Sequence, residues 1–349
     1  LLLAVWDRRG VEPGQVAGGI GADPLGVLAA TGRLPQGADG ALAGMGALAS
    51  RLAGSHPGVR TVRVDTTAYV EAGASETQED VFTTIAKLRA ARQVWSAMTA
   101  ACGASEAAQP PLLHVRTTDR MMTRRDPWVN LLRVTAASFA AGVGGAASVT
   151  TAAFDAELGE PDELGRRMAR NTQLLLQEES NVGRVVDPAG GSWYVESLTA
   201  EIAGAAWSLF GELESAGGIL TALSDGTLAS HIAAVRDARL ARVATRKDPI
   251  TGVSEFADIG EAPLTRPEPD LRTLRSRAHE AASEVVLTGT PTECEPLPRI
   301  RWAQEFEALR DASDGYMAAT GARPKVFLVN LGPVAVHTAR ATFAKNFFE

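Results

Sequence analysis

The chain has 349 residues, which is enough for about two domains of roughly 150 residues or for much of one α/β barrel. With 45% hydrophobic and 21% charged residues, its composition excludes wholesale disorder, collagen-like structure and a coiled coil. The 34 basic and 41 acidic residues give a net charge of -7, so we expect neither a concentrated basic surface nor a nucleic-acid partner.

The cysteines and the apolar stretches indicate the cellular setting. Cys102 and Cys294 are the two cysteines of the sequence and lie in unrelated contexts, which predicts neither a disulfide framework nor a zinc site and favours a reducing, cytoplasmic location. The longest apolar stretch, from Val134 to Val149, is rich in Ala and Gly and is shorter than the roughly 18 to 20 residues of a membrane span. We therefore predict no membrane segment and no membrane partner.

The two ends of the sequence predict a truncated chain. The run from Leu1 to Trp6 has neither a basic region nor a cleavage site, so it is typical of a helix entered midway rather than of a signal peptide. At the other end, the residues from Asn346 to Glu349 lie in the middle of a predicted helix that has no cap.

In chain order, the first half alternates between predicted strands and helices. Polar and apolar residues alternate from Val59 to Asp65, and two further short strands are expected. A helix is predicted where apolar residues recur at near-helical spacing, and another where Asp126 would be the N-cap and Pro127 the first helical residue. The predicted order is strand 59–65, helix 76–101, strand 112–115, helix 127–141 and strand 148–151. This alternation indicates parallel βα units, in either a barrel or a doubly wound sheet.

The second half becomes helical and then changes character. Helices are predicted over 161–177 and 193–213, with a loop over 187–192 between them. Prolines and glycines over 247–275 and 288–298 predict surface connections. Beyond them, the run from Pro324 to Gly332 is typical of a buried strand, and His337 to Phe348 of a helix. We interpret these as the first βα step of a new α/β domain.

The most informative segment runs from Arg167 through the helix to Ser180 and on to the Asp187–Tyr194 loop region. Polar residues such as Asn171 and Gln173 accompany a Leu stripe that must be buried, so these polar groups need partners. One interpretation is structural, with Arg and Glu side chains holding the helix against the loop. Catalysis by the adjacent Glu178 and Glu179 is not expected, because neighbours on a helix point about 100° apart.

This segment resembles the signature of the methylmalonyl-CoA mutase family, the adenosylcobalamin-dependent carbon-skeleton mutases, with Met168 where Ile is usual. The segments 85–92, 124–130 and 321–327 resemble the small, β-type, non-catalytic subunit in particular. The resemblance implies a partial (β/α)8 TIM barrel with its trailing helices over 1–245, a linker region over 246–322, and the truncated start of a flavodoxin-like cobalamin-type domain over 323–349.

At the positions that match catalytic members of the family, this chain has different residues. The resemblance places Gly21 and Thr31 where those members have a Gln and a carboxylate-binding Arg, and Thr67 and Ala68 where they have a Tyr-His pair beside the thioester. Ala156 stands where they have a Glu that approaches the cofactor. Ala cannot donate a hydrogen bond to a developing oxyanion. We therefore expect no catalytic residues on this chain.

Of the His and Gln in one strand of the family's substrate site, this chain keeps the His and has an Arg in place of the Gln. His114-Val115-Arg116 matches the family's His-x-Gln, so the resemblance implies that His114 and Arg116 bind substrate. From the residue alone, His114 on a short strand is more often a core histidine that is already hydrogen-bonded, and we keep that interpretation beside the one that the resemblance implies.

The cobalamin motif of the family is not matched. The family's Asp-x-His-x-x-Gly, whose His ligates cobalt, should follow Gly332, and shifting the match by one places His337 in register but leaves Ala335 and Arg340 for the Asp and Gly. We interpret His337 as the start of a helix and expect no cofactor and no metal ion on this chain. Adenosylcobalamin would be bound mainly by the large subunit.

Three further features complete the comparison. Residues 79–81 join two segments that a helix and a barrel strand separate in the family, so the barrel cannot close in the family's way. Gly142, Gly144 and Gly145 follow a helix and precede a strand, which predicts a helix C-cap and turn rather than a phosphate loop. A basic cluster of four arginines could meet coenzyme A phosphates, a partner's acidic surface or solvent: Arg116, Arg120, Arg124 and Arg125.

The leading hypothesis is a fragmentary, non-catalytic small subunit that stabilises the large catalytic subunit of a heterodimeric methylmalonyl-CoA mutase, which interconverts methylmalonyl-CoA and succinyl-CoA. Acyl-CoA is a candidate ligand of this chain. The alternatives are an active acyl-CoA mutase with altered substrate choice and a degraded remnant that no longer folds.

Overall fold

The computed structural model describes residues 2–74, 80–103, 111–258, 260–272 and 289–348, which form an α/β protein of helices joined by short strands. The helices are α1 (Leu2–Arg8), α2 (Pro24–Thr31), α3 (Ala38–Ala53), α4 (Thr67–Glu71), α5 (Val81–Ala101), α6 (Val129–Val143), α7 (Glu163–Leu174), α8 (Trp193–Ser215), α9 (Gly218–Ser224), α10 (Thr227–Ala244), α11 (Gln304–Thr320) and α12 (Val334–Phe348). The strands are β1 (Gly18–Ala22), β2 (Arg33–Leu34), β3 (Val59–Val62), β4 (His114–Arg116), β5 (Ser148–Thr150) and β6 (Thr292–Glu293).

The chain divides into two units. Unit 1 comprises Leu1–Ala74, Phe210–Arg236 and Leu271–Arg299, and unit 2 comprises Ser75–Leu209, Asp237–Asp270 and Ile300–Glu349. The helices α8 and α10 contribute residues to both units.

In unit 1, β1 and β3 pair in parallel with α2 and α3 between them in the sequence, and β2 pairs antiparallel with β6. The turn from β1 into α2 is fixed by Asp23, whose Oδ1 accepts a hydrogen bond from the Gly26 N–H at 2.8 Å, and by Pro24 at the start of the helix. The largest core cluster contains Leu28, Leu34 and further buried aliphatic side chains: Ala29, Ala38, Ala41, Ala72, Ala222, Leu223, Leu228, Ile232 and Leu297.

In unit 2, β4 and β5 pair in parallel, with His114 opposite Ser148 and Arg116 opposite Thr150. The helix between them, α6, packs against α5. A core cluster of Ile85, Ala140, Val143 and Val195 joins α5, α6 and α8.

The alternation of strands and helices confirms the predicted α/β class. The predicted strands over 59–65, 112–115 and 148–151 are present with slightly different bounds, and the predicted 187–192 segment is a loop. Residues 75–79 lie outside the described part of the chain, so the predicted start of the 76–101 helix is not described, and α5 begins at Val81. The predicted 288–298 connection also contains the short strand β6. Among the described strands, each sheet contains two strands.

The predicted N-cap of α6 is wrong. Asp126 has a φ of 43°, in the left-handed region, and the helix begins at Val129 with Trp128 at the N-cap. The Asp126 backbone N–H donates to the Glu261 carboxylate at 2.7 Å. Asp126 makes this contact in a left-handed backbone conformation, whereas an N-cap residue has an extended one.

The predicted buried strand at Pro324–Gly332 is also wrong. These residues form neither strand nor helix, and the side chain of Phe327 is 89% exposed. A strand requires a neighbouring backbone to satisfy its N–H and C=O groups, and within the described ranges no strand pairs with this segment. The helix after it is confirmed, since α12 begins at Val334 and includes His337 in its first turn.

In the described parts of the chain, no helix combines the length and the apolar character that crossing a membrane requires.

Candidate functional site

The two predicted substrate-binding residues lie on the same face of β4. His114 and Arg116 are two positions apart on the strand and both are exposed, so the interpretation of His114 as a core residue is wrong. The His114 Nδ1 lies 2.7 Å from the Ser148 Oγ on β5, and an Arg116 guanidinium nitrogen lies 2.9 Å from the Asp119 carboxylate. With exposed Thr150 opposite Arg116, the pair forms a polar strip that can offer hydrogen-bond donors to a ligand.

The positions that carry catalytic groups in active family members have no such groups here. Gly21 lies in β1, Thr31 ends α2 and donates its hydroxyl hydrogen to a backbone carbonyl of that helix, and Thr67 begins α4. Ala68 packs against the main core of unit 1, and Ala156 begins a short 3-10 turn after β5. None of these five side chains is an acid or base near neutral pH, so none can transfer a proton to or from a substrate.

The signature segment forms α7 and one turn of π-helix over Leu175–Glu179. Asp162 is the N-cap of α7, and its carboxylate accepts a hydrogen bond from the Gly165 N–H at 2.7 Å. Gln173 has a hydrogen-bond partner, as predicted, because its Nε2 donates to the Thr151 hydroxyl, which also lies 2.8 Å from the Ser138 Oγ. These contacts fix α7 against the end of β5. The predicted burial of the Leu stripe is wrong, since Leu174 and Leu175 are both exposed.

The loop after the signature helix is held from α5 rather than from α7. The Arg89 guanidinium pairs with Asp187 in the loop and lies 2.6 Å from Glu196 at the start of α8. The pKa of Glu196 lies below its ordinary value, mainly because its carboxylate accepts a hydrogen bond from the Gly191 N–H and, to a smaller extent, because it accepts one from Arg89. The predicted holding of the signature helix against the loop is therefore wrong in its partners, because the loop is paired with Arg89 of α5.

The predicted turn after α6 is confirmed. Gly144 is the C-cap of the helix, and Gly145 has a φ of +79°. The Arg92 guanidinium donates to both of their carbonyl oxygens, at 2.6 Å for Gly144 and 3.2 Å for Gly145. These carbonyls are thus occupied by a side chain of the protein itself.

The four arginines of the predicted basic cluster do not share one surface. The Arg120 side chain is buried and its guanidinium carbon lies 5.0 Å from the centre of the Trp302 ring. Arg124 and Arg125 both bond to Asp311 of α11 at 2.7 Å. Because these guanidinium groups have partners within the chain, they do not form a basic surface for coenzyme A phosphates.

The residues near the end of the chain do not fit a cobalt-ligating loop. His337 lies inside a regular helix, α12, with Ala335 and Arg340 as its neighbours where a carboxylate and a glycine would be needed. The His337 Nδ1 is buried without a hydrogen-bond partner, so no carboxylate orients the ring for a metal. Across the described ranges, no group of three or more His, Cys, Asp or Glu residues could hold a metal ion. No step of a reaction is therefore assigned to cobalamin on this chain.

A hollow that the sequence did not predict lies at the carboxyl end of β5. It has a volume of about 480 Å³ and is lined by Thr150 and Thr151 of the strand end and by one stripe of α7 that includes Arg166, Arg170 and Gln173. These three residues stand at positions i, i+4 and i+7 of the helix, which places them on one face. The spacing of Arg166 and Arg170, four residues apart on a predicted helix, could have indicated this site from the sequence.

Comparison with known proteins gives consistent results. The family model described as "Methylmalonyl-CoA mutase" matches residues 77–296. A protein from Streptomyces virginiae named methylmalonyl-CoA mutase small subunit is 43% identical, over 99% of this chain and 58% of its own length. The small subunit from Propionibacterium freudenreichii subsp. shermanii is 36% identical, over 95% of this chain and 53% of its own length. The chain spans about half the length of these relatives.

Proposed function

Because the chain belongs to the methylmalonyl-CoA mutase family, we propose that it is a non-catalytic part of a mutase small subunit that stabilises a large catalytic subunit in a heterodimer. Its resemblance to both the family and the small subunit is confirmed by the relatives described above. The observation that carries the non-catalytic role is the absence of acid, base or carboxylate-binding groups at Gly21, Thr31, Thr67, Ala68 and Ala156.

In this proposal the large subunit binds adenosylcobalamin and interconverts methylmalonyl-CoA and succinyl-CoA. The helical α12 at His337 supports this division, since it offers no loop that could reach a cobalt ion. The proposal further assigns the barrel part to 1–245, the linker to 246–322 and the start of the cobalamin-type domain to 323–349. We also place the protein in the cytoplasm, which is consistent with the free thiols of Cys102 and Cys294.

We further propose that His114 and Arg116 contact acyl-CoA without turning it over. Both side chains are exposed on one face of β4, and Asp119 and Ser148 hold them in place. A guanidinium and an imidazole in this position can donate hydrogen bonds to a thioester carbonyl or a carboxylate. Ala156 stands where active members of the family have a Glu, so it supplies no carboxylate beside this ligand.

Size-exclusion chromatography of the chain mixed with a large subunit of the family tests the heterodimer. We expect a 1:1 complex at micromolar concentrations, and a higher thermal midpoint of the large subunit when this chain is present. Two separate peaks and an unchanged midpoint would contradict the proposed role. For the ligand, the variant His114→Ala should weaken acyl-CoA binding, whereas the exposed His231 on α10 provides a control substitution to Ala that should not.

A further inference from the structure

The hollow at the carboxyl end of β5 has an unusual charge for this protein. The chain carries a net charge of -7, yet the charged residues that line the hollow are Arg166 and Arg170, and no acidic side chain is among its lining residues. Arg166 has a weak partner, since its guanidinium lies 3.8 Å from the Glu160 carboxylate and both side chains are 61% exposed. The structure gives Arg170 no hydrogen bond and no ion pair within the described residues.

Two acids near this hollow in sequence, Asp155 and Asp162, are already paired with another arginine. Arg266 lies 2.5 Å from the Asp155 carboxylate, which is buried, and 2.8 Å from the Asp162 carboxylate at the N-cap of α7. These two carboxylates are therefore occupied. Two further acids, Glu160 and Glu163, are exposed near Arg166 but do not line the hollow. The charged groups that line the hollow and can meet a ligand from solution are therefore the two guanidinium groups.

The shape and polarity of the hollow indicate what the ligand contains. Two guanidinium groups one helical turn apart suit an anion with several terminal oxygens, because each group donates a pair of hydrogen bonds. A phosphate monoester has three such oxygens and a charge near −2 at pH 7, whereas a carboxylate has two oxygens and a charge of −1. The volume of about 480 Å³ exceeds that of one phosphate, and Val149, Ala153 and Pro161 add an apolar wall for an organic group.

We propose that this hollow binds a small phosphate monoester, with Arg166 and Arg170 on the phosphate and the apolar wall against the organic part. Ligand sites commonly lie outside the carboxyl ends of parallel strands, as this one does beside β4 and β5. Neither His114 nor Arg116 lines this hollow, although Thr150 adjoins both places, and the proposal does not depend on the proposed mutase role.

Calorimetric titration of the chain with inorganic phosphate and with phenyl phosphate, at constant ionic strength and pH 7.5, tests the site. We expect saturable binding of both probes, with phenyl phosphate the tighter because it also covers the apolar wall. The variants Arg166→Gln and Arg170→Gln should each weaken phosphate binding by about tenfold or more, as the loss of charge-assisted hydrogen bonds implies.

The matched control is Arg167→Gln, since Arg167 is exposed on the same helix but does not line the hollow. Phosphate binding should be unchanged in this variant, and circular dichroism should show the same helix content in all three. Absence of saturable binding by the unmodified chain would overturn the proposal. An equal loss of affinity in Arg167→Gln and Arg170→Gln would also overturn it, because general charge attraction would then explain the binding.

Discussion

The buried carboxylate of Glu307 allows a quantitative test of how unit 2 is stabilised. Glu307 is fully buried on α11 and accepts hydrogen bonds from the Arg124 backbone N–H at 2.6 Å and the Arg124 Nε at 3.2 Å. An Arg301 guanidinium nitrogen also lies 2.6 Å from the carboxylate. In the variant Glu307→Gln, one oxygen becomes an NH2 group that faces donors, so either the Arg124 backbone N–H or the two guanidinium groups lose their acceptor.

The expected loss for Glu307→Gln is about 2 to 4 kcal/mol in the free energy of unfolding. This is below the upper range for buried ion pairs because the Arg124 side chain is 41% exposed and is partly screened by water. Urea denaturation followed by circular dichroism measures it from the shift of the midpoint. The control is Glu305→Gln on the same helix, where the side chain is exposed and should change stability by less than about 0.5 kcal/mol. Equal effects of the two variants would refute the reasoning.

The same carboxylate predicts a pH dependence. Burial acts to raise the pKa of Glu307, but hydrogen bonds from Arg301 and Arg124 outweigh it and hold the pKa below the ordinary 4.5. Since the folded state favours the ionised form, this contribution is present above pH 4.5 and is lost as the pH falls through the lower folded-state pKa. The difference in stability between the unmodified chain and Glu307→Gln should therefore shrink on acidification, and a difference that grows would contradict the assignment.

Three further variants test packing and buried polar contacts. The variant Gly144→Ala should lower the free energy of unfolding by about 1 to 3 kcal/mol, since the added methyl group would lie 2.8 Å from a Leu88 side-chain carbon. In the control Gly46→Ala, in α3, the added methyl group would have nothing within 4 Å, so the free energy of unfolding should rise by about 0.5 to 1 kcal/mol. Opposite signs in thermal melts are expected, and equal signs would refute the packing argument. The variant Asn130→Ala should cost about 2 to 4 kcal/mol, because Asn130 is fully buried and its Nδ2 donates to the Phe154 carbonyl oxygen at 2.8 Å. A loss below about 1 kcal/mol in urea denaturation would contradict this.

The sequence predicts elements well where local rules determine them. The strands at Val59, Ser148 and His114 follow from alternation and position, and the turn at Gly144 follows from glycine after a helix. The identity of the family follows from the signature segment over 167–194, because so long a match depends on no tertiary contact.

Predictions fail where distant residues decide the outcome. The cap at Asp126 is replaced because Glu261, far along the chain, binds its backbone N–H. The apolar run from Pro324 to Gly332 has the composition of a buried strand, but a strand forms against a partner, which composition does not reveal.

The contacts of the candidate site residues also depend on distant parts of the chain. His114 and Arg116 were identified from the resemblance, but their exposure and their contacts with Ser148 and Asp119 depend on the pairing of β4 and β5. The neutralisation of Arg124 and Arg125 by acids of α11, far along the chain, could not be read from their neighbours in sequence.

The most direct test of the central claim is mutase turnover measured with adenosylcobalamin and methylmalonyl-CoA for this chain alone, for a large subunit alone and for their mixture. We expect no succinyl-CoA formation by this chain alone, because Gly21, Thr67, Ala68 and Ala156 lack the groups that active members have at these positions. We also expect that adding this chain increases the activity or the lifetime of the large subunit. Turnover by the chain alone would overturn the non-catalytic role and favour an active mutase with altered substrate choice.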